Sequence, residues 1–105
     1  MIKLASIIKE IKTDVEWRAP DNTPDEVVDV LHLLIAVITS KGEDYREYIH
    51  LMHPTAHEWG IQHGIREDFI LMFDTSDKTW FYSVDDVFIP IANKKMLVHL
   101  IKNWI

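Results

Sequence analysis

Leu4, Ile7, Ile8 and Ile11 stand at i, i+3, i+4 and i+7, with Lys3, Lys9, Glu10 and Lys12 between and around them. That spacing gathers the apolar side chains into one stripe and predicts an amphipathic helix over residues 2–13. Residues 14–19 then alternate polar and apolar, predicting a short half-exposed strand that ends at Pro20. Thr23-Pro24-Asp25-Glu26 carries the clearest local signal. A threonine able to cap, a proline suited to the first helical position and two acids favoured by the helix dipole predict a helix start. That helix is expected to run to Ser40 and stop at Gly42, with apolar residues around most of its circumference. Such a helix belongs at the centre of a core.

Residues 43–52 predict a third helix, with Tyr45, Tyr48, Ile49 and Met52 on one side and Pro54 ending it. Thr55-Ala56-His57-Glu58 repeats the capping-box pattern and predicts a further helical turn. Residues 69–73 and 80–83 are rich in strand formers, and the polar stretch 74–78 between them predicts a hairpin. Phe69, Leu71 and Phe73 would face one way, and Ile70 and Met72 the other, so that both faces need cover. A strand at residues 87–89 and a last helix over about residues 93–104, with Leu97, Leu100, Ile101 and Trp104 inward, complete the pattern. The expectation is one α+β domain over residues 1–105. It has four to five short helices packed on one face of a small antiparallel sheet, built around a 68–83 hairpin.

Composition narrows the chemistry. The 105 residues are 48% hydrophobic and 27% charged, ordinary values for a globular chain. There is no cysteine, which excludes disulfides, thiolate catalysis and cysteine-based metal centres. The greasiest stretch, residues 27–38, contains Asp29 and His32 and falls short of the roughly 20 apolar residues of a bilayer span. No uninterrupted apolar core of a signal peptide opens the chain, so a soluble cytoplasmic protein is expected. The net charge of −6 is uneven: residues 20–86 hold fourteen acids against Lys41, Arg46, Arg66 and Lys78, whereas both ends are basic. An acidic middle disfavours direct binding to nucleic acid or to an anionic membrane, and it suits a protein partner with a basic surface.

Histidine is the one unusual enrichment, with His50, His53, His57 and His63 inside fourteen residues. On a continuous helix the first three would share a face, and Glu58 could act as general base beside a metal-bound water. This gives one reading, a small metal-dependent enzyme or metal-binding domain using the 50–63 segment. Pro54 interrupts that helix, and the histidine after His57-Glu58 comes at +6, which is not the zincin spacing. The adjacent acids Glu67-Asp68 and Asp85-Asp86 would diverge on a strand and suit turns. No nucleophile elbow, P-loop or dinucleotide fingerprint occurs.

The preferred reading is therefore non-catalytic and without cofactor. The chain is expected to be an acidic protein-binding module that inhibits or modulates a basic, nucleic-acid-processing protein. Immunity proteins, antitoxins and phage antagonists of host defence are of this kind. The candidate contact residues are Asp21, Asp25, Glu26 and Asp29 near one helix start and Glu43, Asp44 and Glu47 near the next. Tyr45, Tyr48 and Trp59 join them as residue types enriched at interface hot spots. A hairpin apolar on both faces also points to a homodimer.

Overall fold

The computed structural model describes residues 20–105; the helix expected at 2–13 and the strand expected at 14–19 lie outside them. Helix α1 spans Asp25–Ser40. Val27, Val30, Leu31, Leu34 and Ile38 recur along it at helical spacing and all enter the core. Much of the helix is β-branched, which lowers intrinsic helix propensity, so burial of this stripe is what stabilises it. Its N-terminus differs from the expected capping box. Pro24 is the cap, and its carbonyl accepts the Val27 and Val28 N–H groups, whereas the buried Thr23 hydroxyl makes no hydrogen bond. At the other end Gly42 sits at φ 78°. Its N–H donates to the Thr39 carbonyl, and the Glu43 N–H donates to the Ile38 carbonyl. These two bonds form a Schellman motif, which needs a residue comfortable at positive φ.

Five strands follow: β1 (Ile49–Met52), β2 (Glu58–His63), β3 (Phe69–Asp74), β4 (Thr79–Val84) and β5 (Val87–Pro90). Each pairs antiparallel with its neighbour in sequence, so the sheet is a simple meander in the order β1-β2-β3-β4-β5. Helix α2 (Lys94–Lys102) closes the chain, capped by the Asn93 side chain, whose Oδ1 accepts the Met96 N–H at 2.9 Å. Lys41 at the end of α1 donates from Nζ to the Lys102 carbonyl at 3.1 Å, placing a cation at the negative end of α2.

Strand alternation divides the sheet into two faces. Trp59, Ile61, Leu71 and Phe73 point to the face where the core residues of α1 join Leu97, Val98, Ile101 and Trp104 of α2 and its C-terminal turn. The register places Gly60, Met72, Phe81 and Pro90 in one row of the opposite face, with Gln62, Ile70, Ser83 and Phe88 in the next. No helix among the described residues is long and apolar enough to cross a membrane.

The fold is α+β, but the expectation of four to five helices around one hairpin is corrected. The described residues hold two α-helices and a five-stranded sheet. The predicted helix over residues 43–52 is a single 3-10 turn, Tyr45–Glu47, followed by β1. The predicted turn at 55–58 keeps its capping interactions without a helix. Thr55 Oγ1 accepts the Glu58 N–H at 3.1 Å and donates to the Glu58 carboxylate at 3.2 Å. The chain then enters β2, because Trp59, Ile61 and His63 alternate and fill the core face between β1 and β3.

Candidate functional site

The 50–63 histidines are dispersed by the strands that carry them. His50 is exposed on β1, opposite Gln62 on the face away from the core. His53, in the loop after β1, stacks on Trp59 with ring centroids 4.0 Å apart and planes 10° from parallel. His57 is exposed, and its carbonyl accepts both the N–H and the hydroxyl of Thr75. His63 is buried. A strand at His50 and a bend over residues 55–57, just after Pro54, replace the helix that would have aligned the first three. Among the described residues no group of three or more His, Asp or Glu side chains is placed to hold a metal ion.

His63 instead anchors the end of the chain. Its Nδ1 accepts backbone N–H groups from Ile65 at 3.1 Å and Arg66 at 2.9 Å. With Nδ1 an acceptor, the neutral ring carries its proton on Nε2 and donates it to the Trp104 carbonyl. Burial pushes the imidazole below its ordinary pKa, partly opposed by the bond to Trp104. Trp104 in turn donates its indole N–H to the Tyr48 carbonyl at 2.9 Å, and the Gly64 N–H donates to the same oxygen at 3.1 Å. Beside this clasp runs a groove of about 200 Å³ lined by His63, Arg66, Phe69, His99, Leu100, Asn103 and Trp104. Its polar groups are largely engaged: both His63 nitrogens are used, Asn103 Nδ2 donates to the His99 carbonyl at 2.8 Å, and Arg66 lies 3.8 Å from Asp68. No nucleophile with an adjacent base lines it.

The acids expected to act together fall into two patches. Asp21, Asp25 and Glu26 are exposed and Asp29 half-buried at the start of α1, whereas Glu43, Asp44 and Glu47 are exposed just beyond its other end. Sixteen helical residues separate them by about 24 Å. In the second patch Asp44 Oδ1 accepts the Arg46 backbone N–H at 3.0 Å and its guanidinium Nε at 3.1 Å. The backbone bond first, and the Arg46 side chain with it, hold the Asp44 pKa below the usual carboxylate value. Tyr45 is half-buried under the Arg46 guanidinium, 5.7 Å from the ring centre. Tyr48 is half-buried and meets His63 edge-on at 5.9 Å, and burial followed by the nearby Glu43 charge raises its phenol pKa. Trp59 belongs to the core at 5% exposure, so its side chain is not part of a surface a partner could touch.

Two features went unread in the sequence. The His63–Trp104 clasp joins residues 41 positions apart, a relation no local pattern carries. The edge of the sheet at β5, unpaired among the described residues, was only half legible. Residues 87–89 read as a strand, but nothing in their composition says that Phe88 is 67% and Val87 58% exposed. Compared with protein families, curated proteins and solved structures, the chain matches none of them.

Proposed function

We propose that the chain is a non-catalytic acidic module that binds, and thereby inhibits or modulates, a protein with a basic surface, in the manner of immunity proteins, antitoxins or phage antagonists of host defence. The observation that carries this reading is the patch at residues 43–47. Glu43, Asp44 and Glu47 are exposed on one tight turn, with Arg46 the single cation within it. The turn is held by the Asp44 cap and by packing of Tyr45 and Tyr48 against the core, so the carboxylates are presented on a rigid support. A fixed cluster of charge speeds encounter with an oppositely charged partner and orients it. The histidine segment offers no comparable convergence of groups.

The test uses the tagged protein as bait in extracts of its native host, beside Glu43→Gln/Asp44→Asn/Glu47→Gln. Asn at position 44 keeps the oxygen that caps the turn. A partner with a basic surface should be retained by the native protein at low salt, eluted as salt rises, and lost from the variant. Equal retention by both proteins would remove the acidic patch from the reading.

A further inference from the structure

Strand β5 ends the meander, and among the described residues nothing pairs with its outer side. The turn before it determines which backbone groups face outward. Asp85 and Asp86 lie at φ 50° and 64°, the two-residue type I′ geometry in which the flanking residues, Val84 and Val87, form a hydrogen-bonded pair. Bonding to β4 then falls on residues 87, 89 and 91, and the Ile91 N–H indeed donates to the Trp80 carbonyl at 2.9 Å. The Phe88 N–H and carbonyl are left pointing away from the sheet, with the Pro90 carbonyl beyond them. Proline supplies no N–H, so within the strand the outer edge presents a single donor. Sheets normally protect such an edge with charge or proline. Here Asp86 and Pro90 bracket it and keep it short, yet its centre is a phenylalanine 67% exposed.

We propose that β5 pairs antiparallel with β5 of a second copy, about a two-fold axis at Phe88, joining both sheets into one. The strand is self-complementary in that register. Each Phe88 donates its N–H to the other copy's Phe88 carbonyl, which uses the single outward donor on both sides. The two Phe88 rings meet on the face away from the helices, each already edge-on to its own Phe81 at 5.9 Å. On the helix face Val87, 58% exposed, lies opposite the second copy's Ile89. Asp85 and Asp86 run alongside the segment that leads into the second copy's Lys94 and Lys95. Among the described residues none of these four takes part in a salt bridge. The antiparallel register also keeps the two Asp-Asp turns at opposite ends, whereas a parallel one would set them side by side. The two-fold pair uses the β5 edge of both copies at once, so this contact is closed at the dimer, with the β1 edges at the two far ends of the joined sheet. The acidic turn at 43–47 packs beside β1 at the other edge of the sheet and stays free in both copies.

An interface this short predicts a weak dimer, with a Kd on the order of 10–1000 µM. Because the chain has no cysteine, Phe88→Cys introduces its only thiol. Opposed hydrogen-bonded residues have Cα atoms about 5.5 Å apart, inside the range a disulfide spans. Under mild oxidation Phe88→Cys should form a covalent dimer rapidly. Val87→Cys, which does not face itself, and Ser76→Cys, in a distant turn, should do so slowly. In sedimentation runs over a concentration series the native protein should shift from monomer to dimer. Phe88→Asp, which sets two carboxylates face to face, should raise the dissociation constant more than about tenfold. A native protein that stays monomeric to about 1 mM, or cross-linking as fast at 76 as at 88, would overturn the proposal. The oxidation series still decides it should Phe88→Asp lower the melting temperature. Dimerisation unaffected by Glu43→Gln/Asp44→Asn/Glu47→Gln keeps this result distinct from the test of the acidic patch.

Discussion

At the scale of single residues the most constrained group is His63. Its Nδ1 already accepts two backbone N–H groups, so a second ring proton would point at donors instead of an acceptor. Burial lowers its pKa below the unfolded value of about 6.5. Between that value and the folded one, the unfolded chain binds more protons than the folded chain. The stabilisation is therefore complete above about pH 6.5 and is lost as pH falls through the window below it. Urea midpoints between about pH 7.5 and pH 5 should fall more steeply for the native protein than for His63→Gln, which should itself be less stable at neutral pH by about 1–3 kcal/mol. Glycine gives a second contrast. A Cβ at Gly42 would meet nothing within 4 Å, so Gly42→Ala carries only the strain of positive φ, about 1–2 kcal/mol. A Cβ at Gly64 would overlap the Glu47 carbonyl. Gly64→Ala should therefore lower the melting temperature more than Gly42→Ala does. The sequence makes the first glycine legible as a helix stop. It is silent about the second, whose constraint comes from a strand end and a turn that meet only in the folded chain.

At the scale of elements, the legible parts are those whose signal is local. The place of α2, the β3–β4 hairpin and the stop of α1 follow from residues in or adjacent to them. The segment from 43 to 63 misleads for a physical reason. Tyr45, Tyr48, Ile49 and Met52 satisfy helical spacing, but Ile49 and Leu51 also satisfy the two-residue period of a strand. Pairing with β2 decides between the two periods. Thr55 Oγ1 still accepts the Glu58 N–H, while the Glu58 carboxylate takes the Thr55 hydroxyl in place of a backbone N–H, so half of the capping box marks a turn and leaves its continuation open. Two changes test the elements as found. Leu34→Ala, in a fully buried position of α1, should lower stability by about 2–5 kcal/mol in urea unfolding. Asp86→Gly, at the second positive-φ position of the β4–β5 turn, should raise it by about 0.5–1 kcal/mol, since type I′ turns favour glycine there.

At the scale of the whole molecule, the seven acids singled out as contacts form two patches at the ends of α1, and the one at 43–47 adjoins the half-buried rings of Tyr45 and Tyr48. If that patch steers a basic partner, Glu43→Gln/Asp44→Asn/Glu47→Gln should slow association at least several-fold at low salt and flatten its salt dependence, with folding unchanged. Surface plasmon resonance with the captured partner measures both. Composition made the acidic middle legible but not its division, because charge counts carry no positions. Of the candidate site the sequence made the neighbourhood legible: Glu43, Asp44 and Glu47 lie exposed on one turn, and their role toward a partner is the proposal above. Trp59 was placed with it only because tryptophan serves cores and interfaces alike.

The clasp at Trp104 also bears on how fast the molecule forms and comes apart. Every strand of the sheet pairs with its sequence neighbour, so the meander assembles from short loops with little closure entropy. The bonds from Trp104 to His63 and Tyr48 instead span 41 and 56 positions and add order only once both ends of that span are in place. They should be missing from the folding transition state. Trp104→Phe, which deletes the indole donor, should then leave the refolding arm of a chevron nearly unmoved and raise the unfolding arm. A change in the β3–β4 turn such as Asp77→Ala, which removes the acceptor for the Thr79 N–H and hydroxyl, should act mainly on refolding. The long-range clasp would thus act as a kinetic latch, setting how long the native state persists more than how quickly it is reached.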